Sequence, residues 1–375
     1  MAYEIKEAKD LVIKAGKRLV ESGLIARTWG NISARISDTQ FVITPSGLAY
    51  ETLTEEQIVV VSIADCSYEG NVKPSSEKGI HADAYRLRPD VNFVIHTHQE
   101  KASAISIDGE DLNIVHNQYQ DILGNVVPCA PYGISSTKKL RSAVASTLLR
   151  NPSCKAVLMK HHGTMCLGTD FAHAFKIAQT LELAADAKFL KACGTDQNDL
   201  PVIEDFGKST KLGDSFLLEY DGTIKEYPLP AIPSNAPAVA VLHAAIYKNS
   251  DTACILHATD EDILRTSRTG RKLPPYIDDL AQIAGVNIPV IKDGKKNRKQ
   301  ITAVLKHNNA VLLYENGALC TGKTKSDAYA VEMILKKGCI ADRYAETRNG
   351  KLYLEYLDAF LQRFVYTVKY SKQKK

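Results

Sequence analysis

The chain has 375 residues, with 47 Lys+Arg against 43 Asp+Glu, 45% hydrophobic and 24% charged residues, 8 cysteines and a single tryptophan. This is the composition of a soluble globular protein; at about 150 residues per domain it implies two domains or one large one, and it excludes disordered, collagen-like and disulfide-stapled architectures. A net charge of +4 is too small for a nucleic-acid binder, and the one dense basic run, Lys292 to Lys299, has no interleaved aromatics and reads as a solvated loop.

The chain opens Met-Ala-Tyr-Glu-Ile-Lys-Glu, charged at once and without the apolar core of a signal peptide, so a cytoplasmic protein is expected. Ile5, Ala8, Val12, Ala15, Leu19 and Val20 recur at helical spacing, and Gly23 ends that helix. Three short loops follow, Gly30-Asn31-Ile-Ser33, Thr44-Pro-Ser46-Gly47 and Pro74-Ser75-Ser76, each rich in glycine, hydroxyl or amide groups. Ser75-Ser76-Glu77 opens a second helix carrying Ile80, Ala84 and Leu87, which Pro89 ends. Val91 to His98 alternates as a strand, with Val91, Phe93 and Ile95 on one face and Asn92, Val94, His96 and His98 on the other. The apolar run Ala156 to Met159 enters the turn His161-His162-Gly163, and Thr164 to Leu167 leaves it, as strand, turn and strand.

Farther on, Gly194, Asp196, Asn198, Asp199 and Pro201 give a polar stretch the composition of a linker. The uncharged stretch Tyr227 to Tyr247 contains Pro228, Pro230, Pro233 and Pro237, so it cannot be a spanning helix and no membrane partner is expected. Near the C-terminus, Tyr353, Tyr356, Phe360, Phe364, Tyr366 and Tyr370 predict an amphipathic helix packed on the core. The eight cysteines form no C-x-x-C pair and read as reduced thiols, and there is neither a Gly-x-Gly-x-x-Gly nor a P-loop to propose a nucleotide cofactor.

The chain repeats itself. His81-Ala-Asp-Ala-Tyr85 followed by Val94-Ile95-His96 corresponds to His243-Ala-Ala-Ile-Tyr247 followed by Ile255-Leu256-His257; from each last histidine a glycine lies 28 residues on (Gly124, Gly285) and a proline four more (Pro128, Pro289). Ala156-Val-Leu158, Gly163, Cys166, Gly168 and Ala174 then match Ala310-Val-Leu312, Gly317, Cys320, Gly322 and Ala328 at a constant offset of 154. Such an ordered series implies two copies of one α/β unit, at about residues 1–195 and 212–346, followed by a tail over 347–375.

His96 and His98, two apart on a strand, project their imidazoles from one face at a separation one metal ion can bridge. A third histidine, His161 or His162, and the carboxylate of Glu77 would complete a site of zinc-like character; the other reading of a His-x-His is two hydrogen-bonded strand histidines. In the second copy His96, His98 and His162 become His257, Thr259 and Asn316, so the framework persists without the ligands. The three hydroxyl-rich loops, with the free N–H groups of a helix start at Ser75-Ser76, can hold a phosphate without any arginine; taken singly, each also reads as a cap or a tight turn.

Over residues 28 to 190, the segments Gly30-Asn31-Ile-Ser, Ile43-Thr-Pro-Ser-Gly47, Tyr50-Glu-Thr-Leu-Thr-Glu55, Pro74-Ser-Ser-Glu77, His96-Thr-His98, Pro128-Cys-Ala-Pro-Tyr132 and His161-His162-Gly163 resemble the class II aldolase/adducin family, most closely its fuculose-phosphate aldolases. The resemblance implies a three-layer α/β/α fold with a mostly antiparallel central sheet, present twice in tandem. It implies a divalent metal, Zn before Mn or Co, on His96, His98 and His162, with Glu77 as fourth ligand and acid/base and His161 structural. Gly30, Asn31, Ser46, Gly47, Ser75 and Ser76 resemble the family's phosphate pocket. Asn117 stands where a proton-donating tyrosine is found in that branch, which leaves Tyr119, two residues later, as the proton-donor candidate. The implied reaction is retro-aldol cleavage of a ketose 1-phosphate to dihydroxyacetone phosphate and a short aldehyde. Epimerisation, dehydration or decarboxylation of a sugar phosphate are rivals on the same site, and an adducin-like protein scaffold is the rival of another class. The family's fourfold tetramers imply a homo-oligomer, in which the ligand-poor copy replaces a neighbouring subunit and two chains imitate a tetramer. A tyrosine-bearing tail closing over the site is the alternative reading of the C-terminal segment.

Overall fold

The computed structural model describes residues 2–25, 29–195 and 203–370, which divide after Gly194 into two compact units. Of the expected linker, Asp196, Asn198, Asp199 and Pro201 lie outside the described residues.

The first unit runs α1 (Ile5–Glu21), β1 (Gly30–Arg35), β2 (Gln40–Ile43), β3 (Val59–Ser62), α2 (Lys78–Leu87), β4 (Phe93–Thr97), α3 (Glu100–Ile105), β5 (Leu112–Asn113), α4 (Asn117–Leu123), β6 (Val126–Val127), β7 (Cys129–Ala130), α5 (Lys138–Arg150), β8 (Ala156–Met159), β9 (Gly163–Gly168) and α6 (Phe171–Cys193). Seven strands form one sheet in the order β3-β2-β1-β4-β9-β8-β7, antiparallel throughout except where β7 runs parallel to β8. The helices cover both faces. Ile80, Ala84 and Tyr85 of α2 and Leu140, Val144 and Leu148 of α5 pack with Phe41, Val61, Val94, Val157 and Leu167 on one side; α1, α3 and α6 take the other, where Phe93 meets Tyr3 and Phe171.

The alternation expected for Val91 to His98 is met within β4 only: Phe93 and Val94 point into opposite layers, and His96, two residues after Val94, looks to the layer in which α2 begins, whereas Val91, ahead of the strand, packs in the layer of Val94 and not in that of Phe93. Gly23 ends α1 in the left-handed conformation (φ +71°), with its N–H on the carbonyl of Val20.

The second unit repeats the plan with β10 (Lys208–Leu212), β11 (Ser215–Tyr220), β12 (Thr223–Pro228), α7 (Ala238–Asn249), β13 (Cys254–Ala258), α8 (Glu261–Arg268), β14 (Val290–Ile291), α9 (Arg298–Leu305), β15 (Ala310–Leu313), β16 (Ala318–Gly322), α10 (Lys325–Glu346) and α11 (Tyr356–Val365). Its sheet order, β12-β11-β10-β13-β16-β15-β14, is that of the first sheet position for position, again with one parallel pair, β14 with β15. Both units are thus mixed, mostly antiparallel sheets between helical layers. Gly168 and Gly322 recur for one reason: a Cβ on either would strike the backbone nitrogen of the alanine in the following helix, Ala174 at 2.5 Å and its counterpart Ala328.

One boundary and the facing of one helix differ from the sequence reading. The second unit's sheet already begins at Lys208, ahead of residue 212, because β10 shares little with β1 beyond the serine pair Ser33 and Ser209. The C-terminal helix does form, but it does not turn its aromatic stripe inward: Leu357 is 74% exposed, and Phe360 and Phe364 about half exposed, whereas Ala359 and Gln362 are buried. Its inner face is held instead by Arg363, which donates to the carbonyls of Gln282 and Ile283. The side chain of Tyr370 lies outside what is described. Among the described residues no helix is long and apolar enough to cross a membrane.

The segment after His98 is pinned by α6. The N–H groups of Lys101 and Ala102, at the start of α3, donate to the Glu182 carboxyl at 2.7 and 3.0 Å, and Gln99 donates to the Ala178 carbonyl. Burial pushes the Glu182 carboxyl up to about 7, against the pull of those two N–H groups. Since an unfolded glutamate ionises near 4.5, the native state keeps this proton over the interval between. Its contribution to stability is full below that value and declines as pH rises through about 7. Glu182→Gln is expected to flatten that decline, read from urea midpoints measured across the interval; parallel curves for the two proteins would contradict it.

Candidate metal centre

Four groups from three separate segments of the chain meet at the edge of the α2 layer. His96 comes from the end of β4, His98 from just beyond it, His162 from the turn between β8 and β9, and Glu77 from the residue preceding α2. The β8–β9 turn is tight: His161 takes φ +61°, the N–H of His162 donates to the Met159 carbonyl, and a Cβ on Gly163 would collide with the Thr97 carbonyl. His162 is thereby pressed against β4, and the three imidazole rings stand with centroids 4.8, 5.1 and 4.7 Å apart.

Hydrogen bonding sets the ring states. His96 donates from Nδ1 to the Thr164 carbonyl at 2.7 Å, which leaves Nε2 as the lone-pair nitrogen. That nitrogen lies 3.0 Å from Nε2 of His98, a separation at which the two rings must share either a proton or a cation. Glu77 spans the group, with Oε2 3.1 Å from Nε2 of His96 and Oε1 3.1 Å from Nε2 of His162. Two neutral donors complete its surroundings, Asn31 Nδ2 on Oε2 at 3.2 Å and Ser135 Oγ on Oε1 at 3.0 Å. Burial works to raise this carboxyl, but positive charge on protonated imidazoles of His162 and His96 outweighs it and holds Glu77 well below the usual carboxylate range; with those rings neutral, a cation would have to supply that charge.

Candidate ligand nitrogens of His96, His98 and His162 all lie within 4.8 Å of one another, and among the described residues this is the one such group of histidine, cysteine or acidic side chains. Three neutral imidazoles and a carboxylate form the donor set that suits a divalent ion of zinc type. His161 stays out of it, its ring edge-on to Tyr132 at 5.5 Å.

The phosphate candidates fall into two groups. Pro45 and Pro74 pair as an antiparallel bridge, with the N–H of Ser46 on the Lys73 carbonyl and that of Ser75 on the Thr44 carbonyl, so the bridge ties the two loops together at their prolines while Ser46-Gly47 and Ser75-Ser76 leave it in opposite directions. The Ser75 hydroxyl accepts from the N–H of Glu77, and the Ser76 hydroxyl accepts from Ser136. Gly30 and Asn31 lie on β1, where Asn31 is directly opposite His96 and Gly30 has no room for a Cβ, which would sit 2.5 Å from the His96 carbonyl. The Asn31 side chain is committed inward, bridging Glu77 and His81. A cleft of about 170 Å³ reaches Glu77, lined also by Ser76, Lys78, Ser136 and Lys138. The ring of Tyr119, on α4, stands against that of His116 with centroids 5.5 Å apart.

Sequence reasoning passed over Ser135 and His81. Ser135 gave no signal, because it sits in an irregular loop 58 residues from the carboxylate it reaches. His81 did: with Tyr85 it belonged to the repeated motif, but no chemistry was attached to it.

The second unit shows what the same framework does without ligands. His257 keeps the place of His96, yet its Nδ1 accepts from the Phe206 N–H at 3.2 Å and its Nε2 donates to the Asn316 carbonyl at 2.7 Å, so both nitrogens are taken by backbone. The side chain of Asn316, where the first unit has His162, is likewise occupied by the Glu204 N–H and the Tyr314 carbonyl. Gly207 stands at the register position of Asn31, and buried Val239 four residues before His243, as Glu77 is before His81.

Comparison with known proteins agrees with this duplicated plan. A family profile described as Class II Aldolase and Adducin N-terminal domain matches residues 10–189 and again 204–340. L-fuculose phosphate aldolase of Escherichia coli K12 is 34% identical over 194 residues, covering 52% of this chain and 87% of its own. A 5-methylthioribulose-1-phosphate/5-deoxyribulose-1-phosphate aldolase of E. coli O45:K1 is 32% identical over the same length, and a 5-deoxy-D-ribulose 1-phosphate aldolase of Bacillus thuringiensis is 33% identical over 182 residues, 48% of this chain and 84% of its own. Among solved structures, an L-fuculose 1-phosphate aldolase aligns with a TM-score of 0.47 at 31% identity, over 52% of this chain and 91% of that one. With two successive segments matched and most of its length covered, the chain belongs to the class II aldolase and adducin N-terminal domain family.

Proposed function

We infer that the protein is a divalent-metal-dependent aldehyde-lyase whose first unit cleaves a ketose 1-phosphate to dihydroxyacetone phosphate and a short aldehyde. The observation that carries the reading is the convergence of a buried, ionised Glu77 with three histidines, one of which has its metal-facing nitrogen fixed by the Thr164 carbonyl. Names of the relatives add that sugar phosphates are the substrates of several such chains. His96, His98, His162 and Glu77 would hold the ion, Zn²⁺ ahead of Mn²⁺ or Co²⁺, and when bound it supplies Lewis acidity toward a substrate carbonyl.

The chain's own residues do the rest. The loops of Ser46-Gly47 and Ser75-Ser76, with Gly30 on β1, bind the phosphate through hydroxyl and N–H groups, fixing the substrate at a point remote from the bond that breaks, while the Asn31 side chain serves Glu77 instead. As the C–C bond cleaves, the hydroxyl that becomes the aldehyde gives up a proton and the carbon that keeps the electron pair takes one; Glu77, ionised at the outset, accepts the first and delivers it to the carbon, and in the reverse direction it removes that proton from carbon and returns it to the new hydroxyl. For that role its carboxylate must be released from the imidazoles, and Asn31 and Ser135 are the groups that keep it in position meanwhile. A buried centre limits competing protonation by water. No role is assigned to Tyr119. The second unit, with His257 closed onto backbone, is read as architecture without chemistry, the arrangement the scaffold reading describes.

Loaded with Zn²⁺ and desalted, the protein is expected to retain one equivalent by atomic emission; His96→Ala should lose it and His257→Ala should keep it, and equal loss in both would place the metal elsewhere. Release of dihydroxyacetone phosphate from a panel of ketose 1-phosphates, with and without chelator, tests the reaction itself. Glu77→Gln is expected to lower turnover by at least about 100-fold while metal content changes little; an unchanged turnover removes Glu77 as the base.

A further inference from the structure

Behind Glu77 runs a line of buried polar groups that the proposed reaction does not use. The hydroxyl of Tyr85 lies 2.7 Å from Ser33 Oγ, Ser33 Oγ lies 2.6 Å from His81 Nδ1, His81 Nε2 reaches Asn31 Oδ1, and Asn31 Nδ2 donates to Glu77 Oε2 at 3.2 Å. His81 and Ser33 are fully buried and Tyr85 nearly so. The directions follow from the inventory of donors. Asn31 Oδ1 can only accept, so His81 Nε2 carries the proton; Nδ1 then accepts from Ser33, and Ser33 accepts from Tyr85. Every hydrogen in the line has one place, and its end result is to present the amide NH₂ of Asn31, rather than its carbonyl oxygen, to the carboxylate. A flipped amide would set two oxygens against each other in a buried site, which costs more than the bond gained.

The second unit provides the comparison. Tyr247, Ser209 and His243 form the same trio, at 2.6 Å and 2.7 Å, in the same layer. There Gly207 replaces Asn31 and Val239 replaces Glu77, so the line stops at the imidazole. The trio is thus part of the fold wherever it occurs, tying the first strand to the helix beneath it, and only the first unit extends it to a carboxylate.

Resting on the reading of Glu77 as a metal ligand and base, we propose that His81 is a positioning residue of the catalytic centre: through Asn31 it fixes the orientation of the Glu77 carboxylate toward His96 and His162. His81 touches neither substrate nor metal, and its effect is transmitted by one amide.

The test compares matched substitutions in the full chain. His81→Leu and His243→Leu each break one trio and are expected to lower the melting temperature to a similar extent. Only His81→Leu should weaken Zn²⁺ affinity, by about 10-fold or more in competition with a chelating dye, and lower kcat by about 10- to 100-fold with KM changed less than about 2-fold. His81→Gln, whose amide nitrogen can still donate to Asn31 Oδ1, should recover most of both. Asn31→Ala, which leaves the trio whole, should reproduce the loss of Zn²⁺ affinity, and it keeps the test open if His81→Leu does not fold. Wild-type Zn²⁺ affinity in His81→Leu or in Asn31→Ala, or an equal loss in His243→Leu, overturns the proposal. Should the wild type release no dihydroxyacetone phosphate from any substrate, the functional reading fails, while the Zn²⁺ series still decides the role of His81.

Discussion

An ionised carboxylate with almost no access to water is the costliest group in the first unit, and the arrangement around it follows from that cost. Stripped of solvent, Glu77 is tolerable only because each of its oxygens meets an imidazole and a neutral donor. Meeting those demands takes residues from a strand, a strand end, two turns and a helix start. The antiparallel register that sets Asn31 opposite His96 is what allows one amide to serve both the carboxylate and the imidazole behind it. Shift that register by one residue and the amide would face the other layer.

The two units separate what the fold needs from what the chemistry needs. Strand order, the single parallel pair, the glycines under α6 and α10 and the Ser-His-Tyr trio are present in both. Two of the three ligand histidines and the carboxylate are present in one. His257 is the instructive residue: a histidine kept at the site of a ligand, in the same strand, whose nitrogens are satisfied by backbone. At that position losing the chemistry stranded neither nitrogen, because adjacent backbone closed over the imidazole; a buried atom left without a partner is His243 Nε2, where the Asn31 amide has no counterpart.

Much of this was legible from residue order. The strand period of two placed His96 and His98 on one face, the repeat gave the division into units, and the Ser-Ser-Glu helix start brought Glu77 to the end of α2. What was not legible depended on long-range closure. Ser135 reaches Glu77 across 58 positions from a loop without periodicity. The stripe on α11 showed an apolar face but not its direction, since the helix is held by the Arg363 guanidinium on backbone carbonyls and not by its aromatics. Asn31 was read as a phosphate group from its loop, whereas its side chain is turned to the interior by partners that lie 46 and 50 residues away.

The turn before the third histidine bears on how strain should be understood here. His161 holds φ +61°, and Glu315, its counterpart where there is no metal ligand, holds φ +62°. A left-handed non-glycine residue costs about 1–2 kcal/mol, and a residue so placed beside a reactive centre invites the view that the energy is stored for catalysis. Its persistence in a unit without that chemistry says otherwise. The cost belongs to closing one β-strand onto the next, and the ligand position that follows it is fixed by backbone before any side chain is chosen. Exchanging histidine for asparagine there changes what the turn can bind and leaves the turn itself intact.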